Sequence, residues 1–97
     1  MKITNTTIRK TFTEGNLKAI VSITIDDCLA VHDIKVIEGS GRTFVAMPSR
    51  KGEDDVYRDI VHPIGTETRN QFEREILTAY ENYVMLSEIM NDKTVTV

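Results

Sequence analysis

Two alternating apolar runs that meet at a Gly-Ser-Gly turn, within VHDIKVIEGSGRTFVAMPSRK (Val31 to Lys51), constrain this chain more than any other stretch. Pairing the runs about Ser40 sets Val36 opposite Phe44 and Ile34 opposite Ala46 on one face. Glu38 and Arg42 then flank the turn as an opposite-charge pair. A slip of one residue would rotate the whole apolar set to the other face, so a self-consistent register says more than strand propensity does. The other elements can be laid against this hairpin.

The preceding run, LKAIVSITI, alternates cleanly, with Leu17, Ala19, Val21, Ile23 and Ile25 on one face and only Ile20 interrupting the polar face. Asp26-Asp27 is a tight connection that would place Cys28, Ala30, His32, Ile34 and Val36 opposite Ile25, Ile23, Val21, Ala19 and Leu17. Upstream, residues 2 to 12 are rich in β-branched types and lead into the turn set Thr13-Glu14-Gly15-Asn16. Pairing Phe12 with Leu17 puts Ile8 opposite Val21. The four strands thus direct one apolar face to the same side, which another element must cover. The opposite face retains Ile20, Leu29, Val31, Ile37, Val45 and Met47, more apolar than a solvent face needs and a candidate surface for self-association.

Pro48 ends the fourth strand, Ser49 to Asp55 read as a charged loop, and Val56 to Ile64 as a short fifth strand or extended segment. Thr66 is the expected N-cap of a long helix, with Glu67 near the positive end of its dipole. Phe72, Ile76, Ala79, Tyr80, Tyr83, Leu86 and Met90 recur at spacings of three and four, and this stripe is the missing cover. The pattern is long for so small a sheet, so the part from Val84 to Met90 should overhang. The expected architecture is α+β: an antiparallel meander of four to five strands over residues 1–64, a helix over 66–91 and a fraying tail over 92–97, where Thr-Val-Thr-Val could add as a strand. Ninety-seven residues suit a single domain, and a chain this short gains burial by pairing with itself, which predicts a homodimer.

A single cysteine, Cys28, excludes an internal disulfide and suits a reducing compartment. MKITNTTIRK lacks the apolar core of a signal peptide and no run approaches a membrane span, so a cytoplasmic protein without membrane insertion is expected. The net charge of −3 hides an asymmetry: eight basic residues face five acids up to Gly52, and four face ten from Glu53 onward. The first part alone suits an anionic partner. Its exposed basic candidates are Arg50 and Lys51 at the hairpin exit and Arg58 nearby, with Arg9, Lys10, Lys18, Lys35 and Arg42 on the sheet.

Chemistry is sparse. His32-Asp33 looks like a general base with its orienting carboxylate, but neighbouring strand residues point to opposite faces, and the expected register turns His32 toward Val21. Cys28, His32 and His62 lack paired metal-ligand spacing, and Gly39-Ser40-Gly41 joins antiparallel strands instead of opening a helix that could cradle phosphate. No enzyme, cofactor or metal is expected. The acidic outer side of the helix, with Glu67, Glu73, Glu75, Glu81 and Glu88, would repel a phosphate backbone.

Four segments taken in order, LKAIVSIT, VHDIKVIEG, FVAMPSRK and YRDIVHPI, resemble the bacterial SpoVG family, and the likeness runs from Met1 to about Tyr80. The resemblance implies a small dimeric protein of antiparallel sheet and carboxy-terminal helix, linked to sporulation and septum formation, that regulates gene expression by binding DNA and RNA. It also implies that the basic pair after Met-Pro-Ser, here Arg50 and Lys51, contacts nucleic acid; by its position, Arg58 is the expected support across the loop. Where the family's next loop usually reads Thr-Pro-Asp-Gly, this chain has Gly52-Glu53-Asp54-Asp55, three acids beside the expected contact. The alternative is an interaction module of the septation machinery that binds proteins and no nucleic acid.

Overall fold

A computed structural model describes residues 1–95, with side chains through residue 89. Four antiparallel strands, β1 (Ile3–Thr11), β2 (Leu17–Ile25), β3 (Leu29–Gly39) and β4 (Arg42–Ala46), form one sheet in chain order. A two-stranded arm, β5 (Ser49–Lys51) and β6 (Tyr57–Asp59), follows, and helix α1 (Thr66–Val95) packs against the edge strands β1 and β4. The meander and its covering helix are those the alternation and the helical stripe predict. Ser49 to Lys51, expected as loop, is instead a strand, because Val56 to Asp59 folds back on it as a ribbon separate from the main sheet.

The β3–β4 register is one residue away from the expected one. Val36 pairs with Val45 and Ile37 with Phe44, so the connection is the two-residue turn Ser40-Gly41 and not a loop centred on Ser40. Both turn residues have positive φ, 54° and 74°, the conformation that matches the twist of flanking strands. Val45 and Met47 consequently face the core, while Phe44 joins Leu17 and Ile37 in one row on the other face. Glu38 pairs with Thr43, not Arg42, and its N–H donates to the Asn16 carbonyl.

The β2–β3 pairing also moves. The ladder sets Ile25 opposite Leu29 instead of Cys28, with Asp26 and Asp27 both at positive φ in the turn. Further along, Ile23 pairs with Val31 but Val21 pairs with Ile34, so His32 and Asp33 together oppose Ser22 in a β-bulge, with Asp33 at φ 61°. The bulge resets the alternation so that Val31, Ile34 and Val36 all reach the core. It also moves His32 off the apolar face, where the regular register had put it, onto the uncovered one. The first hairpin keeps Ile8 opposite Val21 as expected. A second bulge at Arg9 shifts the pairing beyond it to Lys10 with Ile20, and Phe12 lies past the end of β1.

The core consists of Ile3, Ala19, Val21, Ile23, Ile25, Val31, Ile34, Val36, Val45 and Met47 from the sheet side and Phe72 and Ile76 from the helix, with Ile8, Leu77 and Tyr80 packed around it. The surface expected for self-association therefore loses Val31, Val45 and Met47 to the core and Leu29 to the exposed end of the covered side, where it pairs with Ile25, and keeps Ile20 and Ile37, joined by Leu17 and Phe44. At the helix start the Gly65 carbonyl accepts the Arg69 N–H at 3.0 Å, which makes Gly65 the N-cap and Thr66 the first helical residue. The helix passes its expected end at residue 91 and reaches Val95. Thr94 and Val95, the first half of the expected carboxy-terminal Thr-Val-Thr-Val strand, are helical instead, and residues 96 and 97 lie outside the described residues. Beyond Tyr80 the stripe leaves the sheet, and Tyr83, Met85, Leu86 and Ile89 are exposed. No described helix is long and apolar enough to cross a membrane.

Candidate nucleic-acid interface

The arm begins where Pro48 interrupts pairing with the main sheet. Its carbonyl accepts the Ile60 N–H at 2.7 Å, and that bond closes the base of a narrow ribbon whose six strand residues are all exposed. Pairing sets Arg50 opposite Arg58, Lys51 opposite Tyr57 and Ser49 opposite Asp59. Directly paired residues share a side and successive ones alternate, so one side carries both arginines and the other carries Ser49, Lys51, Tyr57 and Asp59. The three basic residues singled out in the sequence are thus gathered on one element within two residue pairs.

The acidic turn at the tip is built into the ribbon. Gly52 N–H donates to the Val56 carbonyl and Asp55 N–H to the Gly52 carbonyl, with Asp55 at φ 61°. The Asp54 carboxylate accepts the Val56 N–H at 3.3 Å and receives Arg58 in a two-pronged grip, 3.1 and 2.7 Å from the two guanidinium nitrogens. The Arg58 guanidinium, helped by the Val56 N–H, holds the Asp54 carboxyl below the usual carboxylate range, and the same pairing raises Arg58. Gly52 leaves the room for this grip. A Cβ there would lie 2.9 Å from Asp54 Oδ1 and 3.0 Å from the Arg58 guanidinium.

Lys51 Nζ stands 3.5 Å from Asp55 Oδ1. Arg50 makes no ion pair among the described residues, so it carries the uncompensated charge of the three. Like charges set directly opposite on a ribbon repel, and the Asp54 carboxylate beside Arg58 offsets part of that repulsion in the Arg50–Arg58 pair. The spacings that betray these contacts, Lys51 to Asp55 and Asp54 to Arg58, are present in the sequence. They sit in a segment with no helical pattern, where four-residue spacing ordinarily carries no contact.

The uncovered face of the main sheet continues the basic surface. Lys10, Ile20, Lys35 and Ala46 are successive partners across β1 to β4 and form one row on that face. Ile20 and Lys35, with Asp33, Pro48, Ser49 and Ile60, line a cleft of about 260 Å³ where the arm meets the sheet. Next to this row, Arg9 Nε donates to Ser22 Oγ at 3.1 Å and Ser22 Oγ lies 2.8 Å from His32 Nδ1. His32 therefore meets the hydroxyl of a buried serine instead of serving a cleft. Arg42 is turned away toward the helix, 3.5 Å from Glu73. Among the described residues no three His, Cys, Asp or Glu side chains gather to hold a metal.

Comparison with known proteins agrees with the geometry along nearly the whole chain. The family model SpoVG matches residues 1–82, the sheet, the arm and the packed half of the helix. A protein of Lachnospira eligens is 53% identical over 88 residues, covering 91% of this chain and all of its own length. One of Clostridium kluyveri is 49% identical over 96 residues, covering 99% of this chain and 94% of its own. One of Clostridium perfringens is 56% identical over 81 residues, covering 84% and 90%. All three bear the name "Putative septation protein SpoVG". With more than four-fifths of the sequence matched by the family model, this chain belongs to the SpoVG family.

Proposed function

We propose that this protein binds nucleic acid through the β5–β6 arm and the adjoining bare face of the sheet, and that it acts as a regulator of gene expression linked to septum formation and sporulation. The link to septation is taken from the names of its relatives, and the nucleic-acid role from the arm. The observation that carries the reading is the arm itself, a narrow exposed ribbon that brings Arg50, Lys51 and Arg58 within two residue pairs of one another, beside the Lys10–Lys35 row. Two-stranded ribbons fit the grooves and backbones of nucleic acids, and exposed basic side chains on them position phosphates. In this reading Arg50 makes the first contact, Lys51 exchanges Asp55 for phosphate, and Arg58 is the reserve held by Asp54.

A titration against DNA and RNA pools, repeated over a range of salt, tests the reading. Affinity should fall steeply with salt. Replacing Arg50 and Lys51 together by Glu should weaken binding to all sequences and lower the salt slope by about one unit per lost contact. A folded double variant that binds as well as the parent, or a parent that binds nothing at low salt, sinks it. The second reading, a protein-interaction module of the septation machinery, is favoured by the apolar side chains at the root of the arm, where Ile60 and Ile64 are exposed by 64% and 97%.

A further inference from the structure

We propose that the arm takes single-stranded nucleic acid, with Tyr57 stacking on an unpaired base while Lys51, and then Lys35, hold the adjoining phosphates. The proposal rests on the nucleic-acid reading above and adds to it the class of strand and the residue that selects it.

Tyr57 is 67% exposed on a three-residue strand, and its hydroxyl makes no hydrogen bond among the described residues. A tyrosine placed for folding buries its ring and satisfies its hydroxyl. Tyr80 does the former, packed against the core with its phenol raised by that burial and by the charge of Glu38. Tyr57 contributes little to the core and stands directly opposite Lys51 on the same side of the ribbon. An aromatic ring paired with a cation on an exposed ribbon is the combination that binds single strands: the ring stacks on a base and the cation follows the backbone.

The same side of the arm leads toward the sheet. Ser49, two residues from Lys51 and on its side of the ribbon opposite Asp59, lines the cleft that also contains Lys35, Asp33 and the apolar Ile20, Pro48 and Ile60. A strand passing from Tyr57 to this cleft meets Lys51 first and Lys35 next. A duplex could not use the ring, because its bases are already stacked on one another and show side chains only their edges. On the other side of the arm Asp54 occupies Arg58, which leaves Arg50 without a second group for reading a base pair. Asp55 is no bar to phosphate, because its pair with Lys51 is 3.5 Å long and both side chains are more than half exposed.

The test compares Tyr57→Ala, Tyr57→Phe and the parent for binding to labelled 20-nucleotide oligo-dT, oligo-rU and a mixed-sequence 20-base-pair DNA duplex at low salt. Tyr57→Ala should weaken single-strand binding roughly 5- to 150-fold, the range implied by about 1–3 kcal/mol per stacked base. It should leave duplex binding within about twofold, and Tyr57→Phe should behave like the parent. Loss with dT and rU alike supports a base-stacking site blind to the sugar, and loss with only one names the strand it reads. The chain has no tryptophan, so in a Tyr80→Phe, Tyr83→Phe background the emission of Tyr57 should be quenched by oligo-dT. Equal losses for single strands and duplex, or no loss with Tyr57→Ala, overturn the stacking proposal while leaving the phosphate reading intact. A parent that binds none of the three probes overturns both.

Discussion

At the scale of single residues, one of the three charges on the arm is already engaged. Arg58 is exposed, yet Asp54 holds it at 2.7 Å, and the carboxylate is kept ionised below its usual range by that contact. The sign follows from linkage. A carboxyl whose pKa is lower in the folded state stabilises the arm above the unfolded carboxylate range, and that contribution is lost as pH falls through the lowered value. The Val56 amide and the Arg58 side-chain signals in NMR should therefore titrate with a midpoint below that of a free aspartate, and a midpoint at or above it would contradict the grip. Asp54→Asn removes one negative charge and frees Arg58, so nucleic-acid affinity should rise a few-fold at low salt and by less at physiological salt. Gly52→Ala should free Arg58 by a different route, since its methyl group displaces the carboxylate. If both variants bind no better than the parent, Arg58 is a structural partner of the turn and takes no part in contact.

At the scale of elements, the strands, their order and the covering helix were legible because alternation and the three-four stripe report directly on burial. The registers were not, and the reason lies in particular residues. The symmetric Gly39-Ser40-Gly41 spelling points to a three-residue turn centred on Ser40, but Ser40 and Gly41 both adopt positive φ and close a two-residue turn, which moves β4 by one position. His32-Asp33 looks like an ordinary pair of polar strand residues, and nothing in its spacing marks it as two residues opposing one. The hint was in the apolar pattern, where Val31 and Ile34 are an odd number apart and cannot both face the core of a regular strand. Asp33 accepts the positive φ of 61° that the bulge needs. Asp33→Val should cost about 1–2 kcal/mol, because a β-branched side chain is strained in that conformation, whereas Asp33→Gly should stay within about 0.5 kcal/mol of the parent. Chemical denaturation of both variants checks this, and equal effects would show that the bulge relaxes. The candidate site was partly legible: its three basic residues stand out in the sequence, whereas the ribbon that assembles them and the acids that grip two of them required the fold.

At the scale of the whole molecule, the helix is the element that its own sheet leaves unfinished. Phe72 and Ile76 complete the core, and from Tyr83 onward the apolar side chains Tyr83, Met85, Leu86 and Ile89 are each about half exposed. At ~100° per residue these four spread over roughly 160° of the helix surface, wider than the stripe one sheet can cover. A second copy of the chain offers a matching surface by symmetry, because an isologous contact needs a single self-complementary patch. Leu86→Glu with Ile89→Glu should then convert a dimer to a monomer in sedimentation equilibrium at micromolar concentration, leaving the sheet folded because neither residue touches the core cluster. The same pair of substitutions is silent on the arm, which gives the prediction its functional edge. In such a dimer two subunits would present two arms, and a strand long enough to reach both would bind the second at a high effective concentration. The monomeric variant should therefore lose affinity about tenfold or more for a long oligonucleotide and be unchanged for one that spans a single arm. A parent that sediments only as a monomer removes the dimer, and a monomeric variant with the parent's affinity for long and short strands alike would show that each arm acts alone.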